Sequence, residues 1–154
     1  MDYVAGFFDG EVCFTIAICQ GKRNRRLVIS PRITITQSDA SNNVLETIVA
    51  FLNMGRIYYH TRSRVTKTGY KIKEVTLRIY RIAELRKLTK LLKNRLIVKK
   101  HQLELFTESL ELMRNKRKNI RRLYEISNEL CPRRKNTRKW TMARLEDVLK
   151  LYQK

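Results

Sequence analysis

Residues 3–12 have the sequence YVAGFFDGEV, and the spacing of large and small residues in this stretch predicts a helix with two unlike faces. At about 100° per residue, side chains at positions i, i+3 and i+4 fall on one side of a helix. The bulky side holds Val4, Phe7 and Phe8, and the opposite, nearly bare side holds Ala5, Gly6, Asp9 and Gly10. The bulky side suits a core, whereas the bare side lets the backbone of another helix come close.

The period of the apolar residues changes to two after Glu11. Residues 12–20 and 27–37 alternate apolar and polar side chains, which predicts a pair of strands with one buried and one polar face. The buried face is expected to hold Val12, Phe14, Ile16, Ile18, Ile29, Pro31, Ile33 and Ile35. A second strand pair is expected from residues 56–65 and 70–80.

Helical periodicity returns between and after the strand pairs. It predicts helices over residues 40–53 and 83–94, and then from Leu96 to the end with breaks near Asn115 and at 131–140. The predicted order is therefore helix, two strands, helix, two strands, helix and a helical tail.

Paired strands separated by helices are typical of an α+β fold, with an antiparallel β-sheet and helices packed on one face. A chain of 154 residues is long enough for one domain with a sizeable core. We assign residues 1–105 to a core domain and residues 106–154 to a basic helical C-terminal extension of the same domain.

The charge balance points to a polyanionic partner. The chain has 34 Lys and Arg but 14 Asp and Glu, a formal net charge of +20. Phosphate neutralisation by such an excess favours nucleic-acid binding. Binding to an anionic membrane surface or packing in a ribosome would also explain this excess of basic residues. A merely solvated charged surface would not, because its acidic residues would balance its basic residues.

Cysteine usage and hydropathy bear on the compartment. Cys13, Cys19 and Cys131 are odd in number and fit no zinc spacing, which favours a reducing intracellular compartment. There is no signal peptide and no run of 18 apolar residues. We expect an intracellular protein, in cytoplasm, nucleoid or an organelle, that is neither secreted nor bound to a membrane.

The polar face of the strands is the candidate nucleic-acid surface, because it is rich in hydroxyls, amides and guanidiniums. A two-stranded ribbon fits the major groove of DNA, where Arg is the commonest side chain to contact guanine. A solvated sheet face is the alternative. The candidates are Thr15, Cys19, Lys22, Arg23, Asn24, Arg25, Arg26, Ser30, Arg32, Thr34, Thr36, Arg56, Tyr58, His60, Arg62, Arg64, Lys71, Lys73, Thr76 and Arg78.

Residues 4–12, VAGFFDGEV, closely resemble the LAGLIDADG motif of homing endonucleases, and the predicted element order resembles that family over about the first 105 residues. The resemblance implies an intron-encoded, site-specific endonuclease that cuts double-stranded DNA in intron homing. Because this chain has one motif copy, it implies a homodimer on a long pseudo-palindromic site. The dimer contact would comprise Ala5, Gly6, Asp9 and Gly10.

The resemblance also implies a metal site at the end of the motif. The family's ligand position is occupied by Glu11, helped by the backbone of Gly10. Two such carboxylates at adjacent helix ends repel, and a hard cation such as Mg²⁺ relieves the repulsion. Val12 stands where the family usually has glycine, and Glu11 is longer than the commoner aspartate.

Two further catalytic residues follow from the resemblance. Residues 96–106, LIVKKHQLELF, resemble the basic segment that places a lysine near the active site, which points to Lys99 first and Lys100 second. Gln37, which follows Thr36 at the end of the second strand, resembles the glutamine that holds metal-bound water in some members of the family. An arginine four residues further on in one subgroup is replaced here by Ser41.

Two alternatives share the same basic sheet. One is an intron maturase that binds its own intron RNA, and the other is a catalytically inactive DNA-binding regulator.

Overall fold

The predicted helices and strands are largely present in the computed structural model, which describes residues 1–20, 27–38, 42–60, 64–65, 69, 71–131 and 141–151. The helices are α1 (Asp2–Glu11), α2 (Asn42–Leu52), α3 (Ile82–Leu92), α4 (Lys100–Leu112), α5 (Ile120–Leu130) and α6 (Met142–Leu151). The strands are β1 (Cys13–Gln20), β2 (Leu27–Ser38), β3 (Arg56–Tyr59), β4 (Arg64–Val65), β5 (Lys71–Ile72) and β6 (Glu74–Ile79). The fold is α+β, as the sequence predicted.

The main sheet has four antiparallel strands in the order β1-β2-β6-β3. Its two faces differ as the alternation predicted: along β2, Ile29, Pro31, Ile33 and Ile35 are buried, and the residues between them are more exposed. Val12, just before β1, is buried, as are Phe14 and Ile16 of β1, while Ile18 is only partly so. One face of the sheet therefore belongs to a core, and the other is available to a partner.

The second strand pair is interrupted, which the sequence pattern did not show. β3 pairs with β6, whereas β4 and β5 form a separate two-stranded sheet. Tyr59 pairs with Val75 in the first ladder, and Arg64 pairs with Ile72 in the second. Four residues lie between the two pairs on one strand but only two on the other, so the register changes between the ladders.

The chain divides into two compact units. One comprises residues 1–13 and 32–100, and the other residues 14–31 and 101–154. The domain boundary at residue 105 stays a prediction.

In the first unit, α2 packs against β3 and β6. This approach requires a glycine at position 55, which has φ +83° and whose Cβ would lie 2.7 Å from Ile79 Cγ1 and 2.9 Å from Leu77 Cδ1. The backbone N–H of Gly55 donates to Glu84 Oε2 at 3.2 Å. The turn after α2 is thus tied both to the sheet and to the start of α3.

In the second unit, Phe14 of β1 packs on Phe106 of α4 with ring centroids 5.3 Å apart. The Arg122 guanidinium of α5 donates to both carboxylate oxygens of Glu108, at 2.7 and 2.9 Å. This hydrogen-bonded ion pair lowers the pKa of the Glu108 carboxyl and raises that of Arg122. Among the described residues, no helix has the length and hydropathy to cross a membrane.

Candidate functional site

Helix α1 has an open face where the sequence predicted one. Gly6 and Gly10 are exposed, and a Cβ added to either glycine would meet nothing within 4 Å. Tyr3, 69% exposed, lies three residues before Gly6 and so extends the same stripe. Ala5 corrects the prediction: it is 3% exposed and belongs to the core side with Val4 and Phe8, so it cannot lie on an open contact face.

Asp9 binds the turn that precedes α4. Its carboxylate accepts hydrogen bonds from the backbone N–H groups of Ile97 (3.0 Å), Val98 (2.9 Å) and Lys99 (2.8 Å). Burial raises the pKa of the Asp9 carboxyl, but the three amides and the Lys99 ammonium outweigh burial and hold that pKa below its ordinary value. Asp9 therefore binds a turn of its own chain, and the predicted contact of Asp9 with a second chain stays a prediction.

Removing this carboxylate should destabilise the fold in a pH-dependent way. Asp9→Ala is expected to lower the free energy of unfolding at pH 7 by about 1–2 kcal/mol, the scale of a lost helix cap. Because the folded-state pKa is depressed, the stabilisation is fully present above the unfolded-state value near 4 and is lost as pH falls through the folded-state pKa. Urea unfolding at pH 7 and at pH 3 would measure both effects.

Asp2→Ala is the matched control on the same helix. Asp2 contacts Arg95 at 2.7 Å, but its side chain is 94% exposed, so its loss should cost about 0.5 kcal/mol or less. If the loss of unfolding free energy in Asp9→Ala stayed constant from pH 7 down to pH 3, this would contradict a role for the ionised carboxylate.

Lys99 lies at the C-terminal end of α1. Its ammonium donates to the carbonyl of Gly10 at 2.8 Å and to that of Val12 at 2.6 Å. These two residues flank Glu11 in sequence, and carbonyls at a helix C-terminus carry partial negative charge. The structure thus brings Lys99 to the helix end that bears Glu11, whereas the neighbouring Lys100 is exposed at the start of α4.

Glu11 is exposed at the last position of α1. Its carboxylate and the Gly10 carbonyl are oxygen donors of the type that Mg²⁺ prefers. Within the described part of the chain, no three His, Cys, Asp or Glu side chains form a group able to hold a metal. One chain therefore supplies ligands of the right kind for a hard cation, but too few of them.

Gln37 lies near the end of β2, opposite Val75 of β6, and is half-buried. This register gives it the same face as Ile33 and Ile35, opposite to the face of Thr36. The structure thus separates Gln37 from the polar face and leaves its catalytic role a prediction.

The polar face of the sheet places like charges side by side. Arg56 of β3 stands directly opposite Arg78 of β6, which stands opposite Thr34 of β2. The Arg78 guanidinium lies 4.6 Å from the ring centroid of Tyr58, and Arg78 Nε is buried with no hydrogen-bond partner among the described residues. Like charges directly opposite on a sheet are destabilising, and an anionic ligand would relieve them.

The next row of this face is hydrogen-bonded. Thr36 Oγ1 lies 2.9 Å from Thr76 Oγ1, which lies 2.9 Å from His60 Nε2. Thr36 and His60 are exposed, as predicted for contact residues, but Thr76 is 4% exposed. Thr76 therefore departs from the prediction of a direct contact, because β2, β3 and the residue after β3 cover it.

The remaining candidates fall in three groups. Thr15, Cys19, Ser30 and Arg32 occupy the predicted face of β1 and β2; Cys19 is exposed and the others are partly exposed. Lys71 and Lys73 are exposed, but Lys71 lies in the separate ladder and Lys73 between β5 and β6. Those outside the described residues are Lys22, Arg23, Asn24, Arg25, Arg26 and Arg62, together with the side chain of Arg64.

Sequence patterns did not identify an apolar surface next to α1. Ile97 and Val98 are 86% and 79% exposed in the turn held by Asp9. The helical pattern that begins at Leu96 predicts that both residues belong to a helix. The signal that could have indicated a turn is Asn94, which has φ +63° just after α3.

Comparison with models of known families identifies the family of this chain. The family model of the LAGLIDADG endonuclease matches residues 4–96, more than half of the chain. The chain belongs to the LAGLIDADG endonuclease family. The matched residues of this LAGLIDADG chain contain the open face of α1, Glu11 and the polar rows of the sheet.

Solved structures share the fold. The archaeal intron-encoded homing endonuclease I-Vdi141I, complexed with DNA, is 23% identical with a TM-score of 0.75, covering 98% of this LAGLIDADG chain and 94% of its own. The homing endonuclease I-CvuI, in complex with a DNA target, is 16% identical with a TM-score of 0.75, covering 99% and 94%.

A third structure is a longer chain. The LAGLIDADG meganuclease I-CpaMI, bound to uncleaved DNA, is 23% identical with a TM-score of 0.75, covering 96% of this chain but 49% of its own. A search of curated proteins found no match to this LAGLIDADG chain.

Proposed function

We propose that this protein is a site-specific DNA endonuclease that acts as a homodimer, depends on Mg²⁺ and cuts both strands of a long pseudo-palindromic duplex. The observation that supports this most directly is the exposed face of α1. It is reduced to backbone at Gly6 and Gly10 and ends in the exposed carboxylate of Glu11.

Dimerisation follows from the single copy of this helix. A bare helix face is complementary to another bare face, and a second copy of the chain supplies one by two-fold symmetry. Tyr3, Ile97 and Val98 provide exposed apolar surface beside the glycines, which a partner would remove from water. The fold matches almost the whole of I-Vdi141I but about half of I-CpaMI, as expected for one unit of a two-unit assembly.

The two Glu11 carboxylates of such a dimer would hold the metal with the Gly10 carbonyls. A bound divalent cation activates water and stabilises the leaving oxygen of a phosphodiester. Glu11 contributes negative charge and oxygen ligands. Lys99 orients the helix end through the carbonyls of Gly10 and Val12, and its ammonium attracts the phosphate that is to be cut.

DNA binding is assigned to the polar face of the sheet. The net charge of +20 favours the phosphate backbone, and the opposed guanidiniums of Arg56 and Arg78 favour an anion or a guanine edge. A DNA substrate places the protein inside the cell. Binding to intron RNA stays a prediction from the resemblance.

The direct test uses DNA in which the sequences flanking the reading frame are joined. The wild type is expected to cut both strands of this duplex with Mg²⁺ and neither strand with EDTA. Tight binding with no cutting at any Mg²⁺ concentration would favour a DNA-binding regulator and refute the enzymatic proposal.

A further inference from the structure

Three polar side chains on the open sheet face share one hydrogen-bond chain. Thr36 of β2, Thr76 of β6 and His60 after β3 are joined through Thr76 Oγ1 by two contacts of 2.9 Å. The position of His60 is fixed by its backbone N–H, which donates to the Glu74 carbonyl at 3.0 Å. The middle residue is buried, and the two outer residues are exposed.

The number of hydrogens constrains how this chain can be arranged. A threonine hydroxyl donates one hydrogen bond, and Thr76 must use its hydrogen because an unsatisfied buried donor is costly. It can donate either to His60 Nε2 or to Thr36 Oγ1. Thr76 keeps both contacts only when one outer group accepts the Thr76 hydrogen and the other outer group donates a hydrogen to Thr76 Oγ1.

Two arrangements result. In the first, His60 Nε2 carries a hydrogen and donates to Thr76, Thr76 donates to Thr36, and the Thr36 hydrogen is free to point outward. In the second, Nε2 is an acceptor, Thr76 donates to it, and the Thr36 hydrogen is used on Thr76. Thr36 then offers an outside group only its lone pairs.

Resting on the proposed DNA-binding function, we infer that Thr36, Thr76 and His60 form one base-recognition unit, in which buried Thr76 makes His60 determine whether the Thr36 hydroxyl meets a base as a donor or as an acceptor. Thr76 is a positioning residue, because it acts through the other two. The unit favours guanine N7 or O6 opposite Thr36 in the first arrangement, and the amino group of adenine or cytosine in the second.

A directional consequence follows for His60. The substitution His60→Phe retains a ring but removes the acceptor, so the Thr76 hydrogen must turn to Thr36. The Thr36 hydrogen is then free to meet a base as a donor. His60 should therefore influence the base pair that Thr36 contacts, through Thr76 and without a contact of its own.

The experiment measures binding in three steps with the full-length protein. The duplex probe is the sequence that the wild type selects from a randomised library in EDTA, and dissociation constants are measured for its single-base-pair variants. Thr36→Val first identifies the base pair at which preference is lost. If the wild type prefers an adenine or cytosine amino group at that pair, His60→Phe is expected to shift the preference toward guanine by about threefold to tenfold, the value of one hydrogen bond. If the wild type already prefers guanine there, His60→Phe should leave that preference in place, and Thr76→Val should weaken it by a similar factor.

The decisive comparison places His60→Phe in a Thr76→Val background. Valine keeps the shape of threonine but breaks both hydrogen bonds, so the effect of His60→Phe at this base pair should fall to less than about twofold. Thr76→Ser retains the hydroxyl and should restore the effect. Circular dichroism of each variant checks that the sheet is folded.

The outcomes distinguish this inference from the proposed function. If the wild type selects no duplex, both are refuted. If it selects one but the shift expected for its preference at the base pair of Thr36 is absent, or if a shift caused by His60→Phe is the same with and without the Thr76→Val substitution, only the coupled unit is refuted. The preference at the base pair identified by Thr34→Val, one row away on the same strand, should be unaffected by His60→Phe.

Discussion

Glu11→Gln is expected to lower DNA cleavage on the order of 10³-fold or more, while DNA binding stays within about threefold of the wild type. Glutamine has nearly the shape of glutamate but no charge, so it keeps the end of α1 and loses the carboxylate that we propose as the metal ligand. Several kcal/mol of transition-state stabilisation depend on the metal in such sites. The loss should therefore appear in the cleavage rate and not in the affinity.

Single-turnover cleavage with Mg²⁺ and gel-shift binding in EDTA would separate the two quantities. Glu111→Gln is the matched control, because Glu111 is an exposed glutamate in another helix, α4, and its loss should change neither. Cleavage by Glu11→Gln at more than about a tenth of the wild-type rate would refute a ligand role for Glu11.

Gly6→Leu is expected to convert the proposed dimer into a folded monomer. In the isolated chain a Cβ at Gly6 meets nothing within 4 Å, so the monomer accommodates the new side chain. At a two-fold contact the leucine is inserted twice, and overpacking costs about 1–3 kcal/mol for each insertion. The dissociation constant of the dimer should rise on the order of 10² to 10⁴-fold, and cutting of both strands should be lost with it.

Sedimentation with and without DNA would measure the association, and thermal unfolding would confirm the fold. Gly6→Ala should be milder and should stabilise the monomer by about 0.5–1 kcal/mol, because glycine weakens a helix interior. Ala83→Leu is the matched control, an exposed small residue in α3 that should leave association unchanged. A Gly6→Leu protein that stays dimeric would show that the partner does not contact this face.

Predictions from periodicity succeeded where one strong pattern decided the structure. The alternation over residues 27–37 placed Ile29, Ile33 and Ile35 on the buried face of β2, because successive side chains of a strand point to opposite faces. The helical spacing of Val4 and Phe8 located α1 in the same way. These signals are local, and a single stretch of chain contains them.

Predictions failed where a long-range contact chose between two local options. The small apolar side chain of Ala5 fits either a bare contact face or a core, and the packing of the chain buried it. Ile97 and Val98 fit a helical pattern, but their amides bind Asp9, 88 and 89 residues earlier. The second ribbon alternates almost throughout, yet its register changes after Tyr59 because two more residues lie on one side than on the other.

The candidate site shows the same division. Glu11 and the glycines of α1 follow from a contiguous motif, so nine neighbouring residues suffice to identify the family and the carboxylate that ends the helix. The ammonium of Lys99 on the carbonyls of Gly10 and Val12, and the burial of Thr76 between Thr36 and His60, join residues far apart in the chain. Local periodicity specifies which way a side chain points along its own element, but which groups meet there depends on the register and packing of other elements, and only the folded chain determines those.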